Sequence, residues 1–163
     1  MENIEKSKFF NKRIKRDVES LFQLYPHNKL YTDNSLNHII INIYENKNDN
    51  ENNSIYKFII KKYYPFSCPD VYYKNLPYEN IYKITSQREQ KYLYLLTKKE
   101  CLCCESVLCS NNWNITLNFF DIIKEINNYR KIKKNIFIKI LADKIKNKYL
   151  VNDIDLDGYL FGI

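Results

Sequence analysis

Cysteine is the residue type here whose number and spacing invite chemistry. Cys101, Cys103, Cys104 and Cys109 fall within nine residues, and the fifth cysteine, Cys68, stands apart upstream. An odd count packed into one short segment makes a poor disulfide framework. Three roles stay open for such a segment: reactive thiol, thiolate metal ligand, or small apolar filler. Cys101 and Cys104 have the C-x-x-C spacing of a zinc site. Cys103 and Cys104 are adjacent, however, and no second ligand pair lies at a distance, which argues against a closed tetrahedral centre. His27 and His38 stand alone, so no resident metal and no cofactor is expected. The only two glycines, Gly158 and Gly162, do not sit between a strand and a helix. That excludes a P-loop or dinucleotide fingerprint.

A reactive thiol needs a frame to hold it. With 163 residues and 19.8 kDa the chain makes one domain with a sizeable core. From Ile14, apolar residues recur at Val18, Leu21, Phe22 and Tyr25, the face of an amphipathic helix that Pro26 stops. Residues 38–44 (HIIINIY) and 55–61 (IYKFIIK) are dense in β-branched and aromatic types and predict strands. The polar, low-complexity ENKNDNENNS between them predicts a loop. A third short strand is expected at Val71–Tyr73, while residues 81–99 are ambiguous between a helix and a hairpin. Leu117, Phe120, Ile123 and Ile126 mark a helix, and Ile136, Ile140, Leu141, Ile145 and Tyr149 mark a second helical run. Helices segregated from a small antiparallel sheet make an α+β architecture.

The formal charge of +7 arises from lysines spread along the whole chain, with only four arginines. Abundant Lys, Asn and Ile look like A+T-rich coding rather than a phosphate-binding stripe, so nucleic acid is not an expected partner. No apolar stretch approaches the length of a membrane span, and the first ten residues lack a signal-peptide core. The expected setting is cytoplasmic, with the nucleus open.

Tyr64-Pro65-Phe66-Ser67-Cys68-Pro69-Asp70-Val71 resembles the YPF-x-x-P segment of ubiquitin-conjugating enzymes. The helix RIKRDVESLFQLYP resembles that family's N-terminal helix, and the two strands before the YPF segment match its meander. PYENI, Pro77 to Ile81, resembles the family's Tyr-His-Pro-Asn-Ile box with one residue deleted. A cysteine-rich stretch then ends in Asn112-Trp113, followed by an amphipathic helix. The likeness covers roughly residues 10–128 of a single domain, 1–163, whose remaining part, 129–163, reads as a divergent helical extension.

The resemblance implies an N-terminal helix, a four-stranded antiparallel meander, an active-site cysteine segment and C-terminal helices. It also implies a thioester to the C-terminus of ubiquitin or a ubiquitin-like protein, followed by transfer to a lysine amine. The nucleophile would be Cys104, which aligns without a gap counting back from Trp113, or Cys101, whose following Leu102 gives the commoner Cys-Leu pairing. Cys103 and Cys109 are expected to be buried hydrophobes, and Cys68 structural. Asn80 would supply the amide that stabilises the oxyanion. Phe66 and the loop of Asn114, Ile115 and Thr116 would face a ligase; Lys12, Arg13, Lys15 and Arg16 would face the activating enzyme. The chain departs from the family pattern at Tyr78-Glu79, at Ile115, and in the long stretch between Asn80 and the cysteines. These departures fit the alternative of an inactive variant serving as a scaffold for an active conjugating enzyme.

Overall fold

The computed structural model describes residues 12–26, 28–33, 38–44 and 54–149. The polar loop expected at 45–54, except Ser54, and the acidic–apolar stretch DIDLDGYLF lie outside the described residues. Helix α1 spans Lys12–Leu24 and buries Ile14, Asp17, Val18 and Leu21, one stripe at helical spacing. Five antiparallel strands follow in chain order as a meander. They are β1 (Asn28–Asp33), β2 (His38–Ile43), β3 (Tyr56–Ile60), β4 (Asp70–Tyr73) and β5 (Leu76–Pro77).

The register explains which side chains make the core. Ile39, Ile41 and Ile43 pair across to Ile60, Phe58 and Tyr56, and Phe58 pairs on to Val71. Directly opposed residues share a face of the sheet, so this one face is continuously apolar, and all seven side chains are buried. Against it lie α1 and the long helix α4 (Phe119–Tyr149).

Three expectations are corrected. The sheet has five strands rather than four: NKLYTD lacks a clear period-two pattern yet pairs with β2 over its whole length, Asn28↔Ile43 to Asp33↔His38. A tight turn at Lys74 and Asn75, both with positive φ, adds β5 to β4, as two-residue hairpin loops require. Residues 81–99, open between helix and hairpin, are helical, as α2 (Glu79–Tyr82) and α3 (Gln87–Thr97). The two expected C-terminal helices are one helix of 31 residues, about 46 Å long. No Gly or Pro interrupts it, and its stripe runs unbroken through Ile122, Ile123, Ile126, Tyr129 and Ile136. Phe119, not Phe120, fills the core at its start. Asn118 caps that start, accepting from Phe120 N at 2.8 Å while Asp121 accepts from Asn118 N at 3.0 Å. No helix among the described residues is long and apolar enough to cross a membrane.

One polar node ties α1 to the rest. Asp17, 4% exposed, accepts from Arg13 Nε at 2.6 Å and from the Tyr64 hydroxyl at 2.6 Å. The Arg13 guanidinium also donates to Leu117 O at 2.7 Å. The Tyr64 ring stacks on Phe119 with centroids 5.4 Å apart, and Trp113 Nε1 donates to Pro65 O at 2.8 Å. Burial, then donation to Asp17, pushes the Tyr64 phenol far above its usual range. Asp17→Ala strands the Arg13 charge and the Tyr64 hydroxyl, and should cost about 3 kcal/mol or more. Tyr64→Phe, which leaves the ion pair intact, should cost about 1 kcal/mol. Urea unfolding of both variants and of the double variant checks this: purely additive losses would show that the two groups are not coupled.

Candidate functional site

The cysteine segment hangs on α4 through one carboxylate. Glu125 accepts from Val107 N at 3.0 Å, from the Tyr129 hydroxyl at 2.8 Å, from Ser106 Oγ at 3.3 Å and from the Tyr78 hydroxyl in a short contact. Tyr78 also meets Ser106 Oγ at 2.9 Å, and Tyr129 shares its proton with Leu102 O at 3.0 Å. Leu102 and Ser106 are buried, so the chain is anchored on both sides of Cys103 and Cys104. Between the anchors, Cys103–Glu105 form a single tight helical turn. Asn112 Nδ2 clamps it from outside, donating to Cys104 O at 2.8 Å and Ser106 O at 3.0 Å. Burial, then the bond to Glu125, pushes both Tyr78 and Tyr129 far above the usual phenol range.

The turn faces an open groove of about 510 Å³. Its walls are Cys68, Asp70 and Val71 at the start of β4, Tyr78, Glu79 and Tyr82 around α2, and Cys103, Cys104, Ser106 and Cys109. Cys101 opens on an adjoining hollow of about 220 Å³, with Tyr82, Ile84 and Glu100. Cys101 Sγ and Cys104 Sγ are 3.1 Å apart, and Cys103 Sγ is 3.9 Å from Cys104 Sγ. Cys101 Sγ donates to Cys104 Sγ; contact with Cys104, then with Cys103, holds the Cys101 thiol below its ordinary range, and contact with Cys101, then with Cys103, pushes Cys104 up to about 12. The pair therefore loses its first proton readily and its second reluctantly. Two thiols in contact, one with its proton loss favoured by the other, offer a nucleophile for acyl transfer only as a pair.

The candidate residues fall into three places. Cys103 and Cys104 are exposed and Cys109 is half-buried, which corrects the expectation that Cys103 and Cys109 are buried filler: Leu102 takes the core position, and the tight turn throws its neighbours outward. Cys68 is half-buried in the groove wall, and burial pushes its thiol up. Asn80 is exposed on α2; its carbonyl accepts from Lys133 Nζ at 3.1 Å, and it does not line the groove.

Phe66, 81% exposed, and the exposed Asn114 and Ile115 lie on two loops that the Trp113–Pro65 bond holds together. Lys12 and Arg16 are exposed on α1. Arg13 is not available as they are: its guanidinium turns inward to Asp17 and Leu117, which corrects its placing on a partner-facing surface. Sequence reasoning passed over Glu125, Ser106 and Tyr129, because a carboxylate inside an amphipathic helix carries no motif of its own.

Glu125→Gln keeps the shape of the side chain but can no longer accept all four donors. It should lower stability by about 2 kcal/mol and speed amide exchange in residues 101–109 more than in β2 and β3; uniform exchange across the chain would show that Glu125 does not hold the segment. Tyr64, Tyr78 and Tyr129 keep their protons in the folded chain at pH values where the unfolded chain, with phenols near about 10, gives them up. Their contribution is therefore fully present below that pH and is lost as pH rises above it. A tyrosinate absorbance titration should show a late cooperative step coincident with loss of helical circular dichroism. Complete titration of all 15 tyrosines before unfolding would contradict it.

No family model matches the chain, and neither a curated protein nor a solved structure matches it significantly; what the site does has to be argued from its own residues.

Proposed function

We propose that the chain acts in ubiquitin or ubiquitin-like conjugation, taking the modifier from an activating enzyme as a thioester on Cys104 or Cys101. The observation that carries this reading is the exposed Cys104, on a turn anchored at both ends beside an open groove of about 510 Å³, with the half-buried Cys101 sulfur 3.1 Å away. The order of elements supports it: N-terminal helix, antiparallel meander, Tyr64-Pro65-Phe66 turn, Asn80, cysteine turn, Trp113 and a long helix.

The chemistry is two acyl transfers. The thiolate attacks the carbonyl of the activating enzyme's thioester and expels that enzyme's cysteine thiolate. A lysine amine then attacks the new thioester, forms a tetrahedral oxyanion, and displaces the thiolate as the amine loses its proton to water. Phe66, Asn114 and Ile115 present one apolar, exposed face for a ligase, and Lys12 and Arg16 a basic one for the activating enzyme.

One observation favours the second reading, a scaffold without its own transfer step. Asn80 stands outside the groove, whereas an oxyanion donor has to lie at about 3 Å from the reacting oxygen.

Incubation with ATP, an activating enzyme and ubiquitin or a related modifier, followed by a non-reducing gel, separates the two. A reducible band that Cys104→Ala or Cys101→Ala alone abolishes is the expected outcome. Asn80→Ala should leave that band in place and slow discharge onto free lysine by about 100-fold if Asn80 is the donor. No band with any modifier would sink the thioester and leave the scaffold.

A further inference from the structure

We infer that Cys101, Cys103 and Cys104 form a binding site for a thiophilic d10 metal ion, Zn2+ or Cu+, with an open coordination position facing the groove. Their three sulfur atoms all lie within 4.8 Å of one another. Sulfurs sharing one zinc at the usual bond length of about 2.3 Å stand about 3.8 Å apart in tetrahedral geometry and about 4.0 Å apart in a trigonal plane. The Cys103–Cys104 separation of 3.9 Å falls at that spacing, and the Cys101–Cys104 separation of 3.1 Å is shorter than it.

The backbone is already fixed. Leu102 O is held by Tyr129, Cys104 O by Asn112, and Ser106 N bonds Cys103 O at 3.2 Å. The thiols are thus grouped before any ion arrives, which lowers the ordering cost of binding. The ligand set selects the class of ion, since thiolates prefer Zn2+ and Cu+ over oxygen-seeking cations such as Mg2+ or Ca2+. Cys103 and Cys104 are exposed, so water or a ligand in the groove can complete a tetrahedral zinc, while Cu+ is satisfied by three sulfurs alone. Among the described residues no fourth His, Cys, Asp or Glu joins the three sulfurs, so the site they offer is an open, three-sulfur one.

The inference is independent of the thioester reading, because it is measured on the chain alone. The fully reduced chain is titrated anaerobically with Co2+, whose sulfur-to-metal charge-transfer and d–d absorption report thiolate number and geometry; Zn2+ is then added in competition. Cu+ is tested separately, delivered from a chelator of known affinity.

One ion per chain is expected, with Zn2+ displacing Co2+ or Cu+ taken from the chelator. Cys101→Ser, Cys103→Ser and Cys104→Ser should each weaken binding by more than about 100-fold, the upper range for loss of an outer-shell partner. Cys68→Ser and Cys109→Ser should leave it unchanged. Circular dichroism on each variant shows that the fold is kept. No thiolate charge transfer with Co2+ together with no retention of Cu+ would overturn the site, as would equal weakening by Cys68→Ser or Cys109→Ser.

Discussion

The Glu125 carboxylate is the constraint on which the site depends. It stands on α4, where the stripe of Ile122, Ile123 and Ile126 fixes the helix against the sheet. Donors then reach it from separate places in the chain: Tyr78 beside α2, Ser106 and Val107 in the cysteine segment, and Tyr129 one turn along the helix. A carboxylate has lone pairs for about four donors, and here they are filled. Fully satisfied, such a network specifies one geometry; with one donor missing it would leave a costly buried group. The thiol turn is exposed to solvent yet inherits its position from this interior point.

Asp17 repeats the same device at the other end of the core, with Arg13 and Tyr64 as donors. In both places a tyrosine spans the distance, its ring packed in the core and its hydroxyl on a carboxylate. Tyr64 stacks on Phe119, and Tyr78 meets Tyr82 edge-on at 5.4 Å. This is the use to which an aromatic with a polar tip is best suited. The two nodes divide the labour. Asp17 joins α1 to the Pro65 turn and through it to Trp113, which places the surface of Phe66, Asn114 and Ile115. Glu125 places the thiols. The two nodes are also joined directly, since Trp113 bonds Pro65 and the adjacent Asn112 clamps the cysteine turn.

What could be read from the sequence follows from how local each signal is. The α1 stripe and the paired isoleucines of β2 and β3 are carried by periodicity and survive folding unchanged; of the stripe expected on the basic run, Ile136 is buried and Ile140 half-buried, whereas Leu141 and Ile145 are exposed. Ser86-Gln87-Arg88-Glu89 is a local signal too: Glu89 N donates to Ser86 Oγ and Ser86 N to Glu89 at 3.1 Å each, a capping box that decides 81–99 for helix. By contrast, β1 exists because β2 offers it a partner, and the turn at Lys74-Asn75 forms without glycine. Neither leaves a local trace. The cysteines were legible as a cluster, but which of them face outward depends on Leu102 reaching the core, a tertiary fact. Asn80 stood out only through a resemblance, and the fold puts it on a four-residue helix away from the groove.

The long stretch between Asn80 and the cysteines is not a loop laid over the thiols. Helix α3 packs along the distal half of α4, with Tyr92 and Leu93 buried and Arg88 paired to Asp143 at 3.6 Å. Helix α3 and the distal half of α4 therefore stabilise each other and leave the groove open. That arrangement concentrates both proposed activities on the same sulfurs. A sulfur lone pair donated to a metal ion is not available to attack a carbonyl, and an acylated sulfur is a poor ligand. Because Cys101 and Cys104 touch, occupation of either changes the other: acylation of Cys104 alters its contact with Cys101, and metal binding removes both thiols at once. Two sulfurs 3.1 Å apart cannot be tuned independently, so any ion held there would govern acyl transfer by direct competition, with no conformational change needed to convey it.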